Sequence, residues 1–72
     1  MKKIRIIERE RLLNYHIRES VTNGREYTIQ TEAFQEGKAI GYYIQDNYGI
    51  NCVISNDDII DGYAELVEEI EE

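Results

Sequence analysis

Proline and tryptophan are absent from this 72-residue chain, cysteine and histidine occur once each, and phenylalanine occurs once. Each absence excludes something. Without proline, internal repeats or low-complexity tracts, no linker is evident, and the chain reads as one small domain over residues 1–72. A lone Cys52 cannot form an intrachain disulfide, and one Cys with one His falls short of a structural zinc set. A reducing, cytoplasmic setting is the simple expectation. No apolar run reaches the ~18 residues of a membrane span. Lys2 and Lys3 resemble the start of a signal peptide, but charged residues from Arg5 to Arg11 interrupt any apolar run behind them.

Basic residues are scarce beyond Arg25. Residues 1–25 hold Lys2, Lys3, Arg5, Arg9, Arg11, Arg18 and Arg25 against three glutamates, a balance of +4. Residues 26–72 hold only Lys38 against twelve carboxylates, a balance of −11 that brings the net charge to −7. Two readings stand side by side. Either the basic segment neutralises the acidic one, within the fold or across a homodimer, or an acidic surface faces a basic partner.

What is present is clearest in residues 41–72. Ile59, Ile60, Tyr63, Leu66, Val67 and Ile70 follow the i, i+3, i+4, i+7 spacing of a helical face, with Ser55, Asn56 and Asp57 as N-cap types ahead of it. A long acidic helix from Asn56 onward is predicted. Upstream, residues 46–50 have the form of a three-residue hairpin loop with Gly49 at the positive-φ position. That loop pairs Ile44 with Cys52 and places Tyr42, Ile44, Ile50, Cys52 and Ile54 on one face.

Residues 2–7 suit a short strand, and residues 8–20 suit a helix with Leu12, Leu13, His16 and Ile17 on one side, stopped at Asn23-Gly24. A strand over 8–22 is the rival. Residues 25–35 alternate as a half-buried strand, and a turn at Glu36-Gly37 pairs Gln35 with Lys38, Ala33 with Ile40 and Thr31 with Tyr42. A single helix over 32–47 competes, against the cost of Gly37 and Gly41. The predicted fold is therefore α+β: an N-terminal helix, a three-stranded antiparallel meander, and a C-terminal amphipathic acidic helix packed on one sheet face.

No catalytic constellation is visible. His16 reads as structural, Cys52 as a buried inert thiol, and the scattered glycines form no phosphate loop. Asn56, Asp57, Asp58 and Asp61 lack the calcium-loop pattern and are explained by helix capping. No enzymatic activity, metal or cofactor is expected. Direct nucleic-acid binding is disfavoured by the acidic surface, since only the first 25 residues suit phosphate.

Six tyrosines are present, and Tyr43 and Tyr48 are the two assigned outward, where tyrosine suits an interface anchor. On the predicted helix Asp61, Glu65 and Glu69 recur every four residues, flanked by Asp58, Glu68 and Glu72. Like charges at that spacing destabilise a helix slightly, so the ladder invites a purpose beyond solubility. Presenting phosphate-like charge to a basic, nucleic-acid-handling protein is one; a solvated face is the other. In size, charge and α+β layout the chain resembles the small acidic inhibitors of phages and mobile elements, including anti-restriction and anti-CRISPR proteins. The resemblance implies a non-enzymatic inhibitor and carries over no site residue. The alternative expectation is a homo-oligomeric subunit whose basic N-terminal segment meets the acidic helix of another copy.

Overall fold

The computed structural model describes residues 2–68. In chain order it contains β1 (Lys2–Ile6), two 3-10 turns (Arg9–Arg11 and Tyr15–Ile17), β2 (Glu26–Thr28), β3 (Thr31–Gln35), β4 (Lys38–Gln45), β5 (Asn51–Ser55), α1 (Asn56–Ile60) and β6 (Ala64–Glu68). The strands form two antiparallel three-stranded sheets, in the order β2-β1-β6 and β3-β4-β5. This overturns the predicted helix, meander and helix arrangement.

The N-terminal helix is replaced by two isolated turns because its backbone groups find partners elsewhere. The Asn14 side chain accepts the His16 N–H, a local bond that competes with helix. The Leu13 N–H goes to the Asp58 carboxylate, and the Arg9 N–H goes to the Asn23 side chain. Leu12, Ile17 and Val21 are buried while Leu13 is 60% exposed, so the inward residues do not keep a helical period. Tertiary contacts outweigh local propensity here.

The predicted single strand over 25–35 is divided between the sheets. β2 pairs with β1, β3 pairs with β4, and the chain turns the corner at Ile29 and Gln30. There the Ile29 N–H reaches the Lys2 carbonyl in one sheet and the Gln30 N–H reaches the Tyr43 carbonyl in the other. Strands that switch sheets make such corners. Gln35 pairs with Lys38 across a turn in which Glu36 (φ 52°) and Gly37 (φ 79°) are both left-handed. A register shift between Ala33 and Phe34 then sets Ala33 opposite Gly41 and Thr31 opposite Tyr43. The predicted Ala33–Ile40 and Thr31–Tyr42 pairs are each displaced by one residue, as a bulge requires.

Gly41 is needed at that crossing. A Cβ there would lie 2.1 Å from the Ile54 carbonyl oxygen. The following hairpin is as the sequence indicates: Ile44 pairs with Cys52 and Tyr42 with Ile54, and Gly49 has φ 79°.

The long acidic helix is replaced by five residues of helix, a glycine stop and a strand. Ser55 caps α1 by accepting the Asp57 N–H. Gly62 (φ 82°) ends it: the Gly62 N–H bonds to the Ile59 carbonyl and the Tyr63 N–H to the Asp58 carbonyl. That pair of bonds is the Schellman stop, which a glycine at this position favours. β6 then adds to the edge of β1, with Ile6 opposite Ala64 and Arg5 opposite Glu65. The hydrophobic core gathers Ile4, Ile6 and Ala64 from one sheet, Ile44, Cys52 and Ile54 from the other, and Leu12, Ile17 and Val21 from the intervening segment.

Candidate interaction surface

The predicted contact residues are scattered by this fold. Asp58 is 1% exposed, and its carboxylate accepts the Leu13 N–H at 3.1 Å, tying the 8–24 segment to α1. Burial, ahead of every other influence, raises the Asp58 pKa above the ordinary carboxylate value. Its role is structural. Asp61 is exposed at the C-cap of α1. Glu65 lies on β6 and is ion-paired with Arg5. Glu68 is exposed at the end of β6, opposite Lys2. Glu69 and Glu72 lie outside the described residues. With Asp61 after the helix and Glu65 on a strand, the i, i+4 ladder does not form.

Tyr43 and Tyr48 do come together. Both line an open, mainly apolar groove of about 520 Å³ with Ile50 and Val53, facing His16 and Ile17 from the 3-10 turn. Tyr48 is 75% exposed at the hairpin tip. The tip is held from below by Asn47, whose side chain accepts from the Tyr27 hydroxyl at 2.7 Å and from Arg25 at 2.9 Å. Its amide nitrogen donates to the Thr22 hydroxyl at 3.0 Å. Asp46 closes the loop by accepting the Tyr48 and Ile50 N–H groups. These bonds, the Ile50 one foremost, keep its pKa below the ordinary value.

Sequence reasoning missed how the cations are used. Arg5 sits between Glu26 (2.9 Å) and Glu65, and both pairs raise its pKa, Glu26 first. Arg9 donates to the Val21 carbonyl and Arg18 to the Leu12 carbonyl. Arg11 reaches Glu8 at 3.5 Å and lies over the Tyr63 ring, while Arg25 bonds Asn47 and lies over Tyr27. All five arginines thus brace the fold. By contrast Glu10, Glu19, Glu32, Glu36, Asp57, Asp61 and Glu68 are exposed, and none has an ion-pair partner among the described residues.

The side chains with chemical potential are placed as follows. Burial first, and then the Asp46 charge, push the Cys52 thiol up to about 11, so it stays protonated at neutral pH. His16 is exposed with its ring 4.1 Å from that of Tyr15. Among the described residues no three His, Cys, Asp or Glu side chains are placed to hold a metal ion, and no helix is long and apolar enough to cross a membrane. Comparison with protein-family models, curated proteins and solved structures finds no match to the chain.

Proposed function

We propose that this protein is a small acidic interaction module that binds a basic protein of the nucleic-acid-handling kind through exposed carboxylates. The observation that carries the reading is the division of labour between the charges. The arginines are spent on internal contacts, while seven carboxylates stand exposed and unpaired among the described residues. Such an outward field attracts cationic surfaces and speeds their encounter.

The contact differs from a helical ladder. Asp57 lines a shallow depression with Ala39, Ile40 and Val53, and the Asn56 side chain bonds the Ala39 carbonyl beside it. Exposed Glu36 follows Gln35 of the same depression, and Asp61 follows α1. Carboxylates around apolar residues suit a contact with a cationic rim and an apolar centre. The reading in which the basic segment grips the acidic residues of another copy has less support, because the arginines are already engaged.

The test is capture from host lysate at two salt concentrations, comparing wild type with the Asp57→Asn, Asp61→Asn, Glu68→Gln triple variant. Expected is a nucleic-acid-binding protein held by the wild type at low salt, displaced by heparin, and lost by the variant. Equal retention by both would reject the carboxylate contact.

A further inference from the structure

Four strands lie at sheet edges: β2, β6, β3 and β5. Open edges invite pairing with another chain, and natural proteins blunt them with charges. Three of these follow that rule, since β2 carries Glu26, β6 carries Glu65 and Glu68, and β3 carries Glu32. β5, Asn51–Ser55, carries none. It lies inside the longest uncharged stretch of the chain, residues 47–56, although 32% of all residues are charged.

The backbone of β5 is also available. The Asp46 N–H bonds to the Ile50 carbonyl at 3.0 Å, so alternation along an antiparallel pair turns the Ile44–Cys52 and Tyr42–Ile54 pairs towards each other as well. The N–H and C=O groups of Asn51 and Val53 therefore point away from β4. Among the described residues, the loop and turn bonds to other segments use neither residue. At the far end β5 runs straight into α1, with Ser55 as its N-cap, so the open edge is limited to Asn51 and Val53. Beside it lies the apolar groove of about 520 Å³, whose opposite wall is formed by Asn14, His16, Ile17 and Ser20.

We propose that β5 pairs antiparallel with β5 of a second copy, joining the two β3-β4-β5 sheets across a two-fold axis. Charge selects this occupant. Two chains of net charge −7 repel, and a meeting at β2, β3 or β6 would bring carboxylates of the two copies together, Glu26 and Glu65 being held by Arg5 and Glu32 and Glu68 standing exposed. Only at β5 do two copies abut without opposed charges. A two-fold contact must be self-complementary, and Asn-Cys-Val-Ile-Ser, an uncharged segment with polar ends, meets that condition when reversed. Depletion of charge is also the compositional mark of an interface centre. The inference does not rest on the basic-partner reading, although Val53 borders both the β5 edge and the depression around Asp57.

The experiment is sedimentation equilibrium over a concentration series, with far-UV circular dichroism to verify folding. Wild type is expected to approach twice the 8.5 kDa chain mass. High salt should preserve the dimer or strengthen it, because screening removes repulsion. Asn51→Lys, a change at an exposed edge position, should give the single-chain mass with an unchanged spectrum, while Phe34→Lys on the β3 edge should leave the dimer intact. In a parallel measurement, amide exchange at Asn51 and Val53 should slow with rising protein concentration. A wild type that stays monomeric at about 1 mM, where even a millimolar Kd would show, overturns the proposal. So does a dimer that survives Asn51→Lys.

Discussion

Asp58 and Gly41 show how single residues are used. Asp58 gives the Leu13 N–H its acceptor, and leaving a buried donor unpaired costs about 1–3 kcal/mol. Asp58→Ala should therefore lower stability by about that amount in urea titrations, while Asp58→Asn, which retains an acceptor, should lose less. Because the folded-state pKa of Asp58 is raised, the folded protein binds this proton more readily than the unfolded chain. Its ionisation therefore costs stability as pH rises from the unfolded carboxylate value through the folded pKa. Asp46 acts oppositely. Its lowered pKa contributes stability above the unfolded value that is lost as pH falls through the folded one. Subtracting the Asp58→Asn stability profile from the wild-type profile should leave a difference that favours wild type increasingly towards acid pH. A flat difference would show that the carboxyl is not desolvated. Gly41→Ala would force a methyl to within 2.1 Å of the Ile54 carbonyl oxygen, beyond ordinary overpacking, which costs about 1–3 kcal/mol. At about 4–8 °C per kcal/mol for a domain this small, the melting temperature should fall by about 10 °C or more.

Among the elements, the C-terminal segment explains what was legible in the sequence and what was not. The hairpin over residues 46–50 was readable because Asp46 and Gly49 specify a local turn. The spacing of Ile59, Ile60, Tyr63, Leu66 and Val67 fits a helix, but Ala64 and Leu66 alternating with Glu65 and Val67 also fit a strand. Gly62 was the signal that separates them, a left-handed stop in the middle of the apolar stripe. Gly62→Ala should cost about 1–2 kcal/mol, the penalty of placing a side chain in that region, and Gly62→Asn less; paired thermal melts measure both. The N-terminal segment offered no comparable signal. Its conformation depends on Asp58 and Asn23, and Asp58 lies 45 residues from Leu13. The contact residues suffered the same fate. Once the helix became a strand, Glu65 came to face Arg5, a pairing that only the β1–β6 register creates.

For the molecule as a whole, the charge asymmetry was legible but its use was not. The basic N-terminal segment meets the acidic one only in part, through Arg5 with Glu26 and Glu65 among the described residues; Arg9 and Arg18 brace the 9–21 segment internally, and Arg25 ties it to the hairpin tip at Asn47. Arg5→Ala would leave Glu26 and Glu65 on either side of β1 without their shared cation. The expected result is a loss of stability that shrinks as salt is raised, since exposed charges are screened; a loss independent of salt would point to packing instead. The β1–β6 pairing, the Arg5–Glu65 ion pair and the absence of an acidic helical ladder all depend on the path of the chain after Ile60. The most direct measurement is NMR assignment of residues 56–68. Backbone chemical shifts should be helical only from Asn56 to Ile60 and extended from Ala64 to Glu68, with cross-strand contacts linking Ile4 to Leu66 and Ile6 to Ala64. Uninterrupted helical shifts through Gly62 to Glu68 would contradict the two-sheet fold, and with it the placement of Glu65 and Glu68.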